Sequence, residues 1–254
     1  MENLFDDFKK VNLTDWKTQI EKDLKGKPIE VLNSNPEMDI EIKAYHHGDE
    51  ERTFKSAVQK ENNDWDIRKE YSTENNQNLL ADLNEGVNCI AVKSRHFEAI
   101  TQDVLFEHIS GDVKIENFDQ ANFPTNFHLN YDVISRAAVS GKSISDMSDF
   151  TTFFKHYKSN KTIWIEGNNY GDAGATSIQE LAFTAAHLNE YIQHLHSEGI
   201  SLTEINSKIV VCISVTNNYF VNIAKMRVIR SLVNGIFKGY DAGFEPAPTH
   251  LIAK

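Results

Sequence analysis

Apolar and polar positions along the chain fall into blocks whose period changes, and the blocks define elements. Residues 87–92 (VNCIAV) and 209–215 (IVVCISV) are nearly all apolar, as strands covered on both faces must be. Residues 113–118 alternate as a strand, 127–131 read as another, and 162–165 form a short β-branched and aromatic run. Residues 249–253 open a sixth. Between these runs the spacing is helical. Ser72 or Thr73 starts a helix that carries Leu79, Leu80 and Leu83 and stops at Gly86. Residues 96–106 suit a second helix, and 147–157 a third through Phe150, Phe153, Phe154 and Tyr157. Residues 218–237 predict a fourth, with Phe220, Ile223, Ala224, Ile229, Leu232 and Ile236 turned inward. Apolar strands alternating with amphipathic helices give an α/β protein with a parallel sheet.

One stretch organises the rest: KTIWIEGNNYGDAGATSIQELAFTAAHLNEYIQHLHSEG, residues 161–199. Its strand is followed by a polar loop with Gly167, Gly171 and Gly174, where a missing Cβ permits close approach of backbone or ligand. Thr176 or Ser177, with Gln179 and Glu180, signals a capping box. Ile178, Leu181, Ala185, Leu188, Ile192 and Leu195 then recur at helical spacing until Gly199. In parallel sheets and barrels such strand-to-helix loops line the ligand face.

The beginning of the chain reads differently. Phe5 and Phe8 mark a short amphipathic turn, and Thr14 can cap a helix from Asp15 with Trp16, Ile20 and Leu24 on one stripe and Gly26 at its end. A helix this short must pack on something, either its own domain or a partner chain. Residues 27–63 are polar and carry Pro28 and Pro36; 39–45 alternate as one edge strand. The expected division is an N-terminal arm and linker, 1–63, and a main domain, 64–254.

Composition narrows the classes. The 254 residues are 40% hydrophobic and 25% charged, the balance of a soluble globular protein. A net charge of −11 leaves no general basic face for nucleic acid. Cys89 and Cys212 fall in apolar runs, as buried free thiols of a reducing compartment do. No run reaches transmembrane length and no signal-peptide pattern opens the chain, so the expectation is a cytoplasmic protein.

The segment EGNNYGDAGATSIQELAFTAAHLNEYI resembles the methylmalonyl-CoA mutase family, whose pattern there is small-Gly-Tyr-His, two residues, Ala-Gly-Ala, then a Leu- and Ala-rich helix. NNYFVNIAKMRVIRSL, residues 217–232, is similar to the family's phenylalanine pair, Ile-Ala-Lys and Arg-x-x-Arg. WDIRKEYST, residues 65–73, is similar to its Trp-x-Ile-Arg-Gln-Tyr entry to the barrel. The resemblance implies a (β/α)8 TIM-barrel type of fold preceded by a helical arm. Only five to six strands can be counted here, so the expectation is an incomplete barrel, a fragment or a piece that closes by self-association. It further implies a coenzyme-A ester inside the barrel, an adenosylcobalamin-dependent isomerisation between methylmalonyl-CoA and succinyl-CoA in propionate metabolism, and pairing of homologous subunits. In such a heterodimer the arm residues Phe5, Phe8, Trp16, Ile20 and Leu24 would embrace a large subunit.

Carried over residue by residue, the site is degenerate. The family's histidine position is Asn169 and the adjacent tyrosine position is Asn168; an amide cannot replace the proton chemistry of imidazole. The stretch between Arg68 and Ser72 is two residues shorter than the catalytic pattern, so Tyr71 does not correspond to the family's tyrosine. The cobalamin signature Asp-x-His-x-x-Gly matches none of the ten histidines. The resemblance therefore implies a non-catalytic small subunit that binds no cofactor itself, with adenosylcobalamin in the partner. The loop Gly167, Asn168, Asn169, Tyr170, Gly171 and Gly174 would be a vestige of the barrel-face site. The alternative is a competent mutase, or another α/β-barrel enzyme, using other residues.

Other clusters read more plainly. His187, His194 and His196 share a helix, the first two on one face, and are expected to be solvated rather than metal ligands. His46 and His47 form a loop pair without further ligands. Ser140 to Ser143 (SGKS) is expected to be a turn, because the glycine a phosphate loop needs is Arg136. Lys225, Arg227 and Arg230 are expected as helix-surface charges or salt bridges. The loop glycines suit a phosphate cradle or tight strand-to-helix packing equally.

Overall fold

The computed structural model describes residues 11–37, 40–46, 64–71, 77–101, 109–116, 122–144 and 147–254. The chain divides into two compact units, Met1–Lys55 and Ser56–Lys254.

In the first unit, helix α1 (Leu13–Asp23) is capped by Asn12, whose side chain accepts the Asp15 N–H at 2.9 Å. The cap lies two residues before the expected Thr14. Trp16, Ile20 and Leu24 do share a face, but it is only half-buried, and no residue of α1 is buried. Trp16 instead stacks on Tyr45, ring centroids 3.8 Å apart. The expected single strand is a short antiparallel ribbon of β1 (Ser34–Glu37) and β2 (Ile40–Ile42). Phe5 and Phe8 lie outside the described residues.

The second unit is built on parallel strands: β3 (Arg68–Tyr71), β4 (Cys89–Lys93), β5 (Ser110–Lys114), β6 (Phe127–Asn130), β7 (Ile163–Glu166), β8 (Ile209–Ile213) and β9 (His250–Ala253). β3-β4-β5-β6 and β7-β8-β9 each pair in chain order. They meet where the Leu129 N–H donates to the Lys161 carbonyl at 2.8 Å. Helices α2 (Gln77–Asn84), α3 (Phe97–Thr101), α4 (Val133–Ser140), α5 (Ser148–His156), α6 (Asn168–Asp172), α7 (Ser177–Ser197), α8 (Leu202–Ser207) and α9 (Tyr219–Tyr240) occupy the connections. The sheet is strongly curved. In a flat sheet β6 and β9 would stand about 14 Å apart, yet the rings of His128 and His250 meet edge to face at 4.6 Å.

Alternation along the strands separates two apolar regions. Ile163, Ile165, Val211 and Ile213 face the helices and join Phe127, Phe150, Phe153, Phe154, Tyr191 and Phe237 in the main core. Trp164, Val210, Cys212 and Ile252 point the other way and form a small cluster on the concave face.

Several expectations are corrected here. The first parallel strand is β3, whose sequence RKEY hides it. β5 begins at Ser110 instead of residue 113, because Gly111 must lie directly against the Phe127 ring and the Ile90 carbonyl. The helix expected at 96–106 is present as α3 over its described part, with a preceding single turn at Ser94–His96, and its remainder, 102–106, lies outside the described residues. In α9 the buried stripe is Val221, Lys225, Ile229, Val233 and Phe237, while Phe220 and Ile223 are 76% and 41% exposed and Ala224 is exposed. Ile178 is likewise exposed, and Cys89 is half-buried, though both cysteines are free. The capping box of α7 is present, Thr176 and Gln179 exchanging hydrogen bonds. Among the described residues no helix is long and apolar enough to cross a membrane.

Candidate functional site

Polar side chains gather where the parallel strands end. Glu166, the last residue of β7, is buried with its carboxylate turned into this mouth. It accepts from Lys114 Nζ at 3.2 Å and 3.4 Å, from Asn130 Nδ2 at 3.0 Å and from Asn169 Nδ2 at 3.5 Å. Lys254, just past β9, brings its Nζ to 3.7 Å. Deeper on the concave face, Arg68 forks onto Asp112 with bonds of 2.6 Å and 2.8 Å, tying β3 to β5 across β4. Burial pushes Asp112 up against the pull of Arg68. Burial also pushes the Cys212 thiol up to about 12 and Cys89 to about 11, so neither is a reactive thiolate at neutral pH.

The backbone under Glu166 is fixed by Asp132, the N-cap of α4. One Asp132 oxygen accepts the Glu166 N–H at 2.9 Å; the other accepts the Ser135 N–H at 3.0 Å and the Tyr191 hydroxyl at 2.9 Å. His187 Nε2 also contacts that oxygen at 3.0 Å, and its Nδ1 meets the Tyr170 hydroxyl at 3.2 Å. Burial alone would raise Asp132, but His187 and the backbone N–H groups outweigh it and hold the carboxyl below its ordinary value. His187 is thus a buried network member and not a solvated helix histidine. His194 is half-buried against Thr151 Oγ1 at 2.7 Å, and of the three only His196 is exposed.

The glycine loop is a short helix, α6, seated on this scaffold. A Cβ on Gly167 would lie 2.7 Å from the Cys212 carbonyl and collide with Thr184 Oγ1. One on Gly171 would lie 2.9 Å from Ser214 Cβ. Gly174 has φ +97°, which L side chains rarely adopt. Close packing and a left-handed turn account for all three. Asn168 is buried and donates to Asp172 at 3.1 Å; Asn169 and Tyr170 are half-buried, one toward Glu166 and one toward His187.

Behind the loop, Glu180 of α7 accepts the Ser214 N–H at 2.6 Å and the Ser214 hydroxyl at 2.9 Å, and pairs with Lys225 of α9. Lys225 is therefore a buried salt-bridge residue instead of a helix-surface charge; Arg227 is exposed and Arg230 caps the Met226 carbonyl at 2.6 Å. Gly141, with φ +67°, ends α4, so SGKS is a turn. Among the described residues no group of three His, Cys, Asp or Glu side chains is arranged for a metal ion.

Sequence reading reached Asn168, Asn169 and Tyr170 but not Glu166, Lys114, Asn130, Asp132 or Lys254. Two signals were available: a charge closing the apolar run TIWIE, and Asp132 placed as a cap before VISRAAV.

Parallel strands whose polar residues converge at their C-terminal ends define an α/β protein of the kind that carries its ligand face there. The Methylmalonyl-CoA mutase family model matches residues 115–249, and the chain belongs to that family. It is 26% identical to the methylmalonyl-CoA mutase small subunit of Porphyromonas gingivalis over 284 aligned residues, covering 94% of this chain and 46% of the relative. The small subunit from Propionibacterium freudenreichii is 24% identical over 177 residues, covering 60% and 28%. Human mitochondrial methylmalonyl-CoA mutase is 33% identical over 93 residues, covering 37% and 12%. The chain spans less than half the length of these curated relatives.

Proposed function

We propose that the chain acts as the non-catalytic small subunit of a heterodimeric methylmalonyl-CoA mutase. Its homologous large subunit would bind adenosylcobalamin and carry out the isomerisation between methylmalonyl-CoA and succinyl-CoA, in cytoplasmic propionate metabolism. The relatives named small subunits support the pairing. The observation that carries the non-catalytic reading is the mouth itself. Asn168 and Asn169 stand where the family resemblance expects tyrosine and histidine. Asn169 is engaged with Glu166, and the centre of the mouth is held by that carboxylate. Carboxylate, ammonium and amide groups crossed together in this way do not fit a cobalamin. The curved parallel sheet supports a (β/α)8 TIM-barrel architecture, and the half-buried stripe Trp16, Ile20 and Leu24 supports residues 1–63 as a partner-binding arm, to which Phe5 and Phe8 are assigned from the sequence alone.

A second reading, a competent α/β enzyme, is favoured by one feature. The Tyr170–His187–Asp132 chain joins a half-exposed phenol to a buried carboxylate and is able to hold or move a proton. One experiment separates the two. Purified chain, purified large subunit and their mixture are assayed for succinyl-CoA formation with adenosylcobalamin supplied. The proposal expects no turnover by this chain, including its Asn169→His variant, and co-purification with the large subunit that weakens when the chain starts near residue 35. Turnover by the chain alone would establish the second reading.

A further inference from the structure

We propose that the mouth of the sheet is a small-carboxylate site that the chain fills with its own Glu166. This inference concerns the chain's own residues and does not depend on a partner. Four side chains from four separate places converge on one carboxylate: Lys114 from β5, Asn130 from β6, Asn169 from α6 and Lys254 from beyond β9. Among the described residues two ammoniums face this one carboxylate, and the other acidic group that Lys254 feels, Asp112, is already paired with Arg68, so the donors carry one positive charge more than Glu166 neutralises. A structural ion pair in this same molecule looks different. Lys225 and Glu180 are both almost wholly buried, their side chains 2% and 1% exposed.

At the mouth the burial is unequal. The Glu166 side chain is 6% exposed, while its partners Lys114 and Lys254 are 45% and 25% exposed. The carboxylate sits as a bound acid would, inside, and the cations form a rim that water reaches. The contacts of 3.0–3.7 Å are also longer than a locked, charge-assisted pair adopts. The backbone beneath is rigid, because Asp132 holds the Glu166 N–H, so Glu166 reaches the site by its side chain alone. Replacing Glu166 by alanine keeps the Cβ and removes a CH2 group and a carboxylate, the outline of acetate. The ligand class the vacated donors would take is therefore a small monocarboxylate.

The test uses the full chain. Thermal unfolding of wild type, Glu166→Ala and the double variant Glu166→Ala/Lys114→Ala is followed in sodium acetate and in sodium chloride at equal ionic strength. The expected result is a saturable rise in Tm of several degrees for Glu166→Ala in acetate only. Wild type should show no such rise, and the double variant should lose it. Equal responses of Glu166→Ala to the two salts would overturn the proposal, as would a saturable acetate response of wild type matching that of the variant. If Glu166→Ala folds in neither salt, Glu166→Gln decides. It keeps the volume and removes the charge, so it should ignore acetate, while Lys114 should be acylated several-fold faster than in wild type by a small N-hydroxysuccinimide ester. Unchanged Lys114 labelling would overturn the proposal on its own.

Discussion

A buried lysine stands against each end of strand β8, Lys208 just before it and Lys225 of α9 behind Ser214, and the two are stabilised in opposite ways. Lys208, just before the strand, is 4% exposed and donates to the carbonyls of Tyr157 at 2.6 Å and Phe154 at 3.4 Å. Those carbonyls close the C-terminus of α5, where a cation is favoured by the helix dipole, and the ammonium also stands 4.4 Å over the Phe154 ring. No carboxylate contacts it among the described residues. Burial, with some help from Lys158 and against Glu204, pulls its pKa down to about 8. Lys225, behind Ser214 at the other end, is 2% exposed and meets the Glu180 carboxylate directly. Equal burial thus gives one ion that can relieve itself by losing a proton and one that is bound to a counter-charge. The first end is built from dipoles and serves the fold. The second, one helix away from the mouth, must keep its charges in place for the loop above it.

That contrast can be broken most forcefully at Lys225. Lys225→Ala leaves Glu180 buried without its cation and should cost about 3–5 kcal/mol in urea unfolding. A loss below about 1 kcal/mol would mean that the two Ser214 donors satisfy Glu180 unaided. Lys208→Met sharpens the other side through pH. The ordinary lysine value is 10.5 and the folded value about 8, so between them the unfolded chain binds more protons and wild-type stability rises with pH. Relative to Lys208→Met, wild type should gain on the order of 2–3 kcal/mol between pH 8 and pH 10.5. Parallel curves for the two proteins would show that Lys208 remains charged. Gly167→Ala drives a Cβ against the Cys212 carbonyl and Thr184, and a loss of about 1–3 kcal/mol is expected by calorimetry. Thr176→Ala removes the cap of the helix that delivers Glu180. Its loss of about 1 kcal/mol should be the same at pH 7 and pH 10, which makes it the control for the lysine variants.

The parts legible in the sequence were those in which neighbours along the chain decide the outcome. The all-apolar runs around Cys89 and Cys212 are strands because they are covered on both sides, and the capping box at Thr176 forms from residues three apart. β3 escaped because Arg68 is turned to Asp112 and Lys69 to Asp82, so its polar letters conceal two satisfied partners distant in sequence. The stripe of α9 was displaced by one position for a related reason. Lys225 is inside only because Glu180 awaits it, while Tyr219, Phe220 and Ile223 remain exposed. Glu166 shows the same limit at the site. Its environment is assembled by strand order, and nothing within TIWIE announces Lys114 or Asn130.

The strand order has a kinetic consequence. Every parallel pair within the two sheets joins strands that follow one another in the chain, so no pairing has to wait for a distant segment. Each closure spans one connection, and the entropy of closing a loop grows only slowly with its length. Parallel sheets fold slowly when their contacts are remote, and here the remote contacts include those across the concave face, such as His128 with His250, and those that tie Asp132 to Tyr191 on the helix side. The unit of β7, α7 and β8 is able to assemble on its own pairing and offer a template to the strands on either side. Curvature would then be the last feature acquired, set when the side chains of the concave face find one another.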